Sequence, residues 1–597
     1  MSDWPDTNDL KAALPVESHS NGAHGGTTPN EQPGAVSKWG AKIQNNYSET
    51  ESHDWEANAK VYEWDDEGAE GDVGPIMPDL EKELFGEPQN RDPRGNDYSN
   101  IEQIQVTQEG EVRIERITSF ANAKLHPAML RNVVELHGYK TPTPIQQYCV
   151  PAINMGFDLL AVAQTGSGKT AAYLIPILNR LMGKAKKLAA PRPKDQDDRV
   201  RAEPLVVIVV PSRELAIQIF NETRKFCYRT MLRPCVAYGG GPLTQQLINM
   251  QRGCDILISS PGRLTDLIQR PRYLSLRRLK YMVIDEADEM LKGDWEAEFN
   301  QILSGGEQDT GAVQYMLFSA TFPKDIRTLA KTHLRENYVR IRVGRIGSTH
   351  MNIVQDVIYV DQYLKKKALS DLIDASEDVG RMIIFVNNKR TADDVDDYLF
   401  NRNFPVTSMH ADRTQRERED AMRAFRSGRV LFLVATGVMA RGIDVENVIH
   451  VINYDLPNVE HGGIDEYVHR IGRTGRIGHR GLATSFYTDH DEPIAKQLVM
   501  TLMETNQKIP DFLEPFKPEE TDVSKLKFEA DTDDEEEGGD DDDGWGAAGT
   551  TGAADSVGTA GTAGAGDAAG GAGGGDAGGW GGNGGWTSNV SAGDFAW

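Results

Sequence analysis

The sequence predicts two tandem α/β domains, each a doubly wound parallel sheet with helices on both faces, between disordered N- and C-terminal tails. The prediction depends on short apolar runs that recur between helical stretches in the middle of the chain. Runs that are apolar on both faces are typical of parallel strands buried between helices. These runs form two series, separated by the polar segment 343–352. We therefore expect one sheet per series.

The individual strands follow from the positions of the runs. They are predicted at 159–164, 205–211, 255–261, 281–287 and 315–321 in the first series, and at 381–387, 406–411, 430–436 and 448–455 in the second. The predicted segments are a disordered acidic tail at 1–100, a first domain at 101–342, a linker at 343–352, a second domain at 353–513, and a disordered acidic and then Gly/Ala-rich tail at 514–597. Ligands of such sheets bind at the carboxyl ends of the strands, so polar motifs at those ends are the candidate site residues.

The net charge of −26 over 597 residues is unevenly distributed. Residues 1–100 carry a net −14 and residues 514–597 a net −16, which leaves +4 on residues 101–513. A mildly basic centre is compatible with nucleic-acid binding, which the overall charge alone would argue against. Eight of the nine tryptophans lie in the tails. They indicate either docking motifs for protein partners or sticky segments with no defined partner.

Several classes of protein are not expected. No run of 18 apolar residues is present, so we expect no membrane-spanning helix, and the start MSDWPDTNDL lacks the features of a secretory signal. Four scattered cysteines with no CxxC pair favour a reducing compartment and inert thiols over a zinc site.

The first predicted strand leads into the sequence AQTGSGKT, which has the pattern of a phosphate-binding loop. Glycines allow backbone N–H groups to wrap phosphates at the N-terminus of the following helix. Lys169 would reach the terminal phosphates and Thr170 would ligate Mg²⁺. A connecting Gly-rich turn is the alternative for such a loop taken alone. The predicted nucleotide-binding residues of this loop are Ala163, Gln164, Thr165, Gly166, Ser167, Gly168, Lys169 and Thr170.

A second polar motif, Asp285-Glu286-Ala287-Asp288, ends the strand predicted at 281–287. A carboxylate at a neighbouring strand end is what the metal of a phosphate-binding loop requires, so Asp285 is predicted to hold Mg²⁺ together with Thr170. Glu286 is then placed to accept a proton from the attacking water.

Together these motifs make the chain resemble the DEAD-box ATP-dependent RNA helicases over roughly residues 115–513. The resemblance extends to GYKTPTPIQ at 138–146, PSREL at 211–215, GGG at 239–241, SPGR at 260–263, SAT at 319–321, ATGVMARGID at 435–444 and HRIGRTGR at 469–476. The segments VGRIGST at 343–349 and INYDLP at 452–457 look closest to the Vasa/Belle-type branch. The resemblance implies that both domains are RecA-like and that the cofactors are ATP and Mg²⁺.

The resemblance also implies roles for residues outside the phosphate-binding loop. Gln146 would select adenine through its side-chain amide, with Thr143 supporting the loop. Phe120 and Tyr139 would stack near the base, although core packing explains Phe120 at least as well. Asp444 would hold the ribose.

From the second domain, Arg473 and Arg476 would act as arginine fingers beside His469, completing a predicted catalytic set of Lys169, Asp285, Glu286, Arg473 and Arg476. Planar guanidinium donors suit the charge that develops on a transferring phosphoryl group.

RNA contacts implied by the resemblance combine small residues, hydroxyls and arginines, which suits recognition of the sugar–phosphate backbone without reading bases. They are Pro211, Arg213, Gly240, Gly241, Gly262, Arg263, Gln415, Arg418 and Thr436. For Gln415 and Arg418, a solvated charged helix face is a competing interpretation. Ser319 and Thr321 would relay between the nucleotide and RNA sites.

The sequence departs from the family's usual pattern at several positions. Ser212 and Ser260 replace threonine, Ala411 replaces glycine, and Asn387-Asn388 replaces an acid–threonine pair. No Lys or Arg follows Lys527, so the tail lacks the Arg-Gly repeats usual in Vasa-type proteins.

The favoured hypothesis is an RNA-dependent ATPase that locally unwinds RNA and remodels ribonucleoproteins. The resemblance to the Vasa/Belle-type branch implies a setting in mRNA translation, in particular translation initiation, or other mRNA metabolism, in the cytoplasm or in ribonucleoprotein granules. An ATP-gated RNA clamp or scaffold with little turnover is the alternative, and a DNA translocase of the same superfamily is a weaker third. The expected partners are RNA, bound without sequence preference, and proteins docking on the Trp-containing tails, with no membrane.

Overall fold

The computed structural model describes residues 73–86 and 106–518, except 183, 189, 194–197, 292–295, 323, 345–351, 377–379, 438–444, 446 and 476–479. Most of the two predicted tails, with their eight tryptophans, therefore lies outside the described residues, as does Trp295 of the first domain.

The first sheet has eight strands in the order β1-β8-β2-β7-β6-β3-β5-β4. All neighbouring strands are parallel except β1 and β8, which pair antiparallel at one edge. The strands are β1 (Val106–Glu109), β2 (Leu159–Ala163), β3 (Val206–Val209), β4 (Pro234–Ala237), β5 (Ile256–Ser259), β6 (Tyr281–Ile284), β7 (Gln314–Ser319) and β8 (Val339–Val343).

Helices cover both faces of this sheet, and each face has its own apolar core. Every residue of β2 to β7 is buried, which explains why those strands are apolar runs rather than alternating ones. The helices are α2 (Pro127–Arg131), α3 (Pro144–Met155), α4 (Lys169–Met182), α5 (Ala185–Leu188), α6 (Arg213–Phe226), α7 (Leu243–Gln251), α8 (Pro261–Ile268), α9 (Ala287–Met290), α10 (Glu296–Ser304) and α11 (Lys324–His333).

The second sheet has six parallel strands in the order β11-β12-β10-β13-β14-β9. It is also packed on both faces. The strands are β9 (Ile353–Tyr359), β10 (Arg381–Val386), β11 (Val406–Met409), β12 (Phe432–Thr436), β13 (Val448–Asn453) and β14 (Gly481–Tyr487). The helices are α12 (Lys365–Ala375), α13 (Lys389–Phe400), α14 (Gln415–Arg426), α15 (Gly463–Ile471) and α16 (Glu492–Glu504).

The predicted architecture of two tandem doubly wound RecA-like domains is confirmed. Strand β8 ends at Val343 and β9 begins at Ile353, on either side of the segment proposed as the linker. The second domain continues slightly past 513, because a 3-10 helix spans Asp511–Phe516 and its Phe512 packs on Tyr487 at 5.3 Å between ring centroids.

The expectation of disorder for 1–100 does not hold at residues 73–86, which contain helix α1 (Pro78–Phe85). Leu80 is buried against the first domain. Gly74 exchanges hydrogen bonds with Arg229, its N–H donating to the carbonyl at 2.9 Å and its carbonyl accepting from Nε at 2.7 Å. Arg131 pairs with Glu81 at 3.1 Å. Val73 and Leu80 are buried in the core of the first domain, and these apolar contacts together with the polar ones fix a short segment whose composition resembles that of a tail.

No helix in the described part of the chain is long and apolar enough to span a membrane.

Candidate active site

The phosphate-binding loop lies between β2 and α4, at the carboxyl end of a central strand of the first sheet. Gly166 and Gly168 have φ of 76° and 89°, the left-handed region that favours glycine. A Cβ on Gly168 would lie 2.6 Å from Nε2 of Gln146, so the loop also needs glycine there for space. Nζ of Lys169 donates to the carbonyl of Ala163 at 3.0 Å, across the turn of the loop. The loop thus positions a buried cation next to a helix N-terminus, where phosphate binding is favourable.

Gln146 joins helix α3 to the phosphate-binding loop. Its Oε1 accepts from the Thr143 backbone N–H at 3.0 Å, and its Nε2 donates to the Gly168 carbonyl at 3.1 Å. Thr143 and Gln146 form the capping box of α3, which satisfies N–H groups at the start of that helix. Gln146, predicted to select adenine, is therefore bonded to the loop, and Thr143, predicted to support the loop, is joined to it through Gln146.

The two predicted stacking residues differ in exposure. Phe120 is 2% exposed and belongs to the core, where its ring stacks on Tyr139 at 6.4 Å between centroids. Tyr139 is partly exposed. The geometry thus favours the packing interpretation for Phe120, and only Tyr139 offers a ring at the surface.

Asp285, one of the two predicted metal ligands, accepts a hydrogen bond from a buried tyrosine. Tyr173 donates to its Oδ2 at 3.1 Å and lies on the same helix, α4, as Thr170, the other predicted ligand. Burial raises the pKa of Asp285, and the charge of Lys169 and the Tyr173 hydrogen bond offset part of that rise. A hydroxyl and a carboxylate are the hard oxygen donors that Mg²⁺ prefers, so the residues present fit this ion.

Glu286 follows β6 in a left-handed conformation, with φ 55° and ψ 50°, which costs free energy for a residue with a side chain. Burial raises the pKa of its carboxyl, and the charge of Arg473 from the second domain is the largest effect opposing that rise. Its Oε2 is buried, and no group among the described residues hydrogen-bonds it. A basic oxygen held in this way is suited to accept a proton from water.

The second domain contributes α15 and the following residues to the same site. The side chain of His469 lies between two acids of the first domain, with Nδ1 3.2 Å from Oε1 of Glu289 and Nε2 3.8 Å from Oδ2 of Asp288. Burial alone would lower the pKa of His469, but the Glu289 hydrogen bond and the nearby carboxylates reverse that effect and raise it. A Cβ on Gly472 would lie 2.6 Å from Oγ1 of Thr165, so the two domains meet closely at the phosphate-binding loop.

Thr321, predicted as a relay residue, hydrogen-bonds Asp288, one of the two acids that face His469. Its backbone N–H and its hydroxyl donate to Oδ2 of Asp288 at 3.1 and 2.9 Å, and Ser319 donates to the Thr321 carbonyl at 2.6 Å. Asp288 therefore links the end of β7 to His469 of the second domain.

The predicted RNA contacts of the first domain lie at the ends of β3, β4 and β5. The Arg213 guanidinium lies over the glycine run, such that a Cβ on Gly240 would be 3.0 Å from its Cζ. A Cβ on Gly241 would meet Gln246 and Tyr238, at 2.7 and 2.9 Å. Arg263 donates to Gln246 at 3.2 Å. Pro211 is partly exposed and Gly262 is exposed on α8. These positions share one edge of the sheet and can form a common surface.

The second-domain residues predicted to contact RNA pack against this surface. The Arg418 guanidinium pairs with Glu214 at 3.0 Å, and both side chains are almost fully buried. Gln415 contacts Arg418 and accepts from Arg213 at 3.2 Å. Thr436 ends β12 and is partly exposed. The interpretation of Gln415 and Arg418 as a solvated charged face is wrong, because their helix forms the interface between the domains.

Two departures from the family pattern have structural roles. Asn388 caps α13, its Oδ1 accepting from the Thr391 N–H at 2.8 Å, and Asn387 donates to the Leu456 carbonyl at 2.7 Å. Ser212 caps α6 through the Leu215 N–H at 3.2 Å, so its hydroxyl still does what threonine would do. Ala411 is exposed.

Asp444 and Arg476 lie outside the described residues. Four residues of the site were not predicted from the sequence: Tyr173, Glu214, Tyr238 and Glu419. Tyr238 donates to Oε1 of Glu419 at 3.0 Å, a second contact between the domains. Glu214 lies within PSREL and Tyr238 directly precedes GGG, so proximity to the motifs was the only available signal.

Comparisons with known proteins agree with this geometry. Residues 143–329 match the sequence model of the DEAD/DEAH box helicase family, and residues 364–478 match that of the helicase conserved C-terminal domain. The two matches together cover just over half of the chain.

Solved structures of related proteins are also similar. S. cerevisiae Dbp5 bound to RNA and ADP BeF3 is 28% identical, over 64% of this chain and 93% of that chain, with a TM-score of 0.54. Mss116p bound to ssRNA and AMP-PNP is 25% identical, over 65% and 78%, with a TM-score of 0.55. A DEAD box protein from the hyperthermophile Methanococcus jannaschii is 31% identical, over 66% and 99%, with a TM-score of 0.38.

The residues at 285–288 read Asp-Glu-Ala-Asp, and Asp288 occupies the position that distinguishes the DEAD form from the DEAH form. The chain belongs to the DEAD-box family of ATP-dependent RNA helicases.

Proposed function

We propose that this protein hydrolyses ATP in an RNA-dependent manner and uses the closing of its two domains to unwind short RNA duplexes and remodel ribonucleoproteins. The observation that carries this proposal is the arrangement around Glu286. Its buried carboxylate oxygen has no hydrogen-bond partner among the described residues, and the charge of Arg473 from the other domain opposes the rise in pKa that burial causes. A hydrolytic centre assembled from both domains is complete only when they meet, so anything that brings them together stimulates hydrolysis.

The residues have separable roles in this reaction. Lys169 would bind the terminal phosphates of ATP, and Gln146 and Tyr139 would surround the base. Thr170 and Asp285 would hold Mg²⁺, which supplies charge neutralisation at the phosphates when bound. Glu286 would accept the proton of the attacking water, while Arg473, with Arg476, would balance the charge that develops on the γ-phosphate.

RNA would bind along the strand ends of both domains. The supporting observations are the common surface formed by Arg213, Gly240 and Arg263, and its continuation through Gln415 on the second domain, whereas Arg418 is buried against Glu214. The structures of Dbp5 and Mss116p contain RNA bound with a nucleotide analogue. Backbone contacts of this kind would make binding insensitive to sequence and selective for RNA through its 2′-hydroxyls.

An ATP-gated RNA clamp with little turnover is the second candidate. The buried Glu214–Arg418 pair favours it, because a buried contact between domains can hold them closed after RNA has bound. The setting in mRNA translation or mRNA metabolism, the cytoplasmic or granule location, the Vasa/Belle-type relationship and the docking of proteins on the Trp-containing tails are proposals that sequence patterns alone support.

The test is Glu286→Gln, which retains shape but cannot accept the proton. We expect it to bind ATP and RNA like the wild type and to lose at least 99% of RNA-stimulated hydrolysis. Glu336→Gln is the matched control, because Glu336 is exposed between α11 and β8 and far along the chain from the phosphate-binding loop and from the motif at 285–288. RNA-stimulated hydrolysis at the wild-type rate in Glu286→Gln would remove Glu286 as the base.

Measurements on the wild-type protein distinguish the RNA helicase from the ATP-gated RNA clamp. Steady-state ATPase and duplex unwinding are measured with and without RNA at one salt concentration. Stimulation by RNA together with unwinding supports the helicase, whereas tight ATP-dependent RNA binding without turnover supports the clamp.

A further inference from the structure

Phe322, the residue directly after the SAT motif, has an unusual environment for a core phenylalanine. Its side chain is 3% exposed, and its ring lies against two arginines. Cζ of Arg340 is 3.7 Å from the ring centroid and Cζ of Arg327 is 5.2 Å from it. Desolvating guanidinium groups costs free energy unless they are compensated, so an ordinary apolar contact would have been the simpler way to pack this ring. The arrangement matches a cation–π clamp.

The edge of the sheet determines the position of one arginine of the clamp. Arg340 lies on β8, in register with Leu160 of β2 on one side and with Glu109 of β1 on the other. Its guanidinium donates to Oε2 of Glu109 at 2.8 Å, so the charge is paired while the plane of the group remains on the ring. Because β2 leads into the phosphate-binding loop, the clamp is anchored to the same strand that carries the nucleotide site.

The other end of the clamp reaches the second domain. Phe322 shares a peptide bond with Thr321, whose N–H and hydroxyl both donate to Asp288. Asp288 in turn faces His469 across the domain interface. A displacement of the ring moves Thr321, and with it the acceptor that His469 meets when the domains close.

We propose that Phe322, held between Arg327 and Arg340, is a positioning residue that sets the Thr321–Asp288 pair for His469 and thereby couples ATP hydrolysis to domain closure. This inference rests on the proposed RNA-dependent ATPase. It assigns a role to strand β1 as well, since Glu109 is what keeps the Arg340 guanidinium in place.

The experiment uses the full chain and two pairs of variants. In the first pair, Phe322→Leu removes the aromatic ring and Arg340→Met removes the cation, and both keep an apolar side chain of similar size. In the second pair, Phe322→Tyr keeps an aromatic ring and Arg340→Lys keeps a cation. We expect the first pair to lower the RNA-stimulated kcat and the duplex unwound per ATP hydrolysed by at least fivefold, with the KM for ATP within twofold of wild type. We expect the second pair to keep both the RNA-stimulated kcat and the duplex unwound per ATP within twofold of wild type.

Phe299→Leu is the matched control, because Phe299 is a buried phenylalanine in the same core. It should lower the melting temperature to a similar extent and leave the unwinding per ATP unchanged. The double variant Phe322→Leu/Arg340→Met should lose no more than the worse single variant, because both remove one interaction.

The outcomes separate the two proposals. If the wild type shows no RNA-stimulated ATPase, the proposed function fails and this inference fails with it. If the wild type is stimulated by RNA but Phe322→Leu and Arg340→Met both behave like Phe299→Leu, the positioning role of Phe322 is overturned and the proposed function stands. If Phe322→Leu does not fold, the comparison of Arg340→Met with Arg340→Lys decides the question.

Discussion

Burial determines the acid–base character of the central side chains. It raises the pKa of Glu286 and of Asp285, and each carboxyl is partly compensated by a cation, Arg473 for the first and Lys169 for the second. A base with a raised pKa accepts a proton more readily at neutral pH. The two neighbouring carboxylates thus differ in role because they have different partners: Asp285 is tied to Tyr173, whereas Oε2 of Glu286 is left available among the described groups.

Tyr173→Phe should raise the Mg²⁺ concentration needed for half-maximal ATPase several-fold. The hydroxyl orients the Asp285 carboxylate, and phenylalanine keeps the ring but removes that contact. Tyr315→Phe is the control, since its hydroxyl donates to the Leu303 carbonyl away from the site. An unchanged Mg²⁺ dependence in Tyr173→Phe would contradict the role of the hydroxyl.

His469 should make domain closure depend on pH. Its pKa is raised by Glu289 and Asp288 of the first domain, and this contribution is lost once the domains separate, whereas Glu466 on its own helix stays beside it. The closed state therefore binds more protons than the open state. The stabilisation of the closed state is fully present below the open-state pKa of His469 and is lost as pH rises through the higher, closed-state pKa.

The measurement is the RNA-stimulated ATPase as a function of pH for the wild type and His469→Gln. We expect the variant to be less active and to lack the decline above neutral pH. Parallel profiles for the two proteins would show that another group titrates.

At the scale of elements, the interface between α6 and α14 determines how the domains meet. Glu214 on the first helix and Arg418 on the second are almost fully buried together, and Tyr238 and Glu419 add a second contact next to them. Breaking a buried ion pair by removing one partner is costly, because the other charge remains without compensation. We therefore expect closure of the two domains to depend on these interface residues even where they do not contact ATP.

Glu214→Gln should reduce the population of the closed state in the presence of ATP and RNA about tenfold, equivalent to about 1.4 kcal/mol. The measurement is the distance between fluorophores placed on the two domains. Glu222→Gln, on the same helix and in a half-exposed pair with Lys225, should leave closure unchanged. Equal closure in both variants would exclude a role for the Glu214–Arg418 pair.

Helix α1 should dock through Leu80, the one side chain of the helix that is fully buried. Leu80→Ala is expected to cost about 2–3 kcal/mol of docking free energy. Amide hydrogen exchange should then rise in residues 132–139, where His137 contacts Phe85 at 5.1 Å between ring centroids. Glu83→Ala, which removes only a half-exposed salt bridge to Arg224, is the control. Unchanged exchange in Leu80→Ala would show that the helix is held by its polar contacts.

For the whole molecule, the distribution of charge leads to a prediction about RNA affinity. Removing residues 1–72 and 519–597 takes away a net −27 and leaves 73–518 near neutrality. Acidic segments compete with RNA for basic surfaces through electrostatic attraction. At 0.1 M salt this attraction is screened beyond about 10 Å, so the competition weakens as salt rises. The fragment 73–518, which keeps α1, should bind single-stranded RNA more tightly than the full chain at low salt, with a difference that shrinks as salt rises. Equal affinities at low salt would contradict the competition.

The strands that were predicted and those that were missed differ for a physical reason. Buried central strands such as β3 and β6 are continuous apolar runs and were recognised. Strand β8 was missed because Arg340 and Arg342 interrupt its run, yet one of these arginines packs on Phe322. Strand β14 was also missed, because polar residues such as Thr484 interrupt its apolar run. In the core, the Thr484 hydroxyl hydrogen-bonds His450 at 2.8 Å.

The sequence by itself determined the fold class and the family, and it predicted most of the residues that we propose for the nucleotide site. Those features depend on residues close together in the chain, such as a strand, the loop that follows it and the helix after that. Tertiary structure alone decided the contacts between distant segments: Tyr173 with Asp285, Glu214 with Arg418, Phe322 between its arginines, and the docking of α1. Each of these pairs a charged or polar group with a partner that local patterning does not record, because the partner becomes a neighbour only once the sheets have formed and the domains have met.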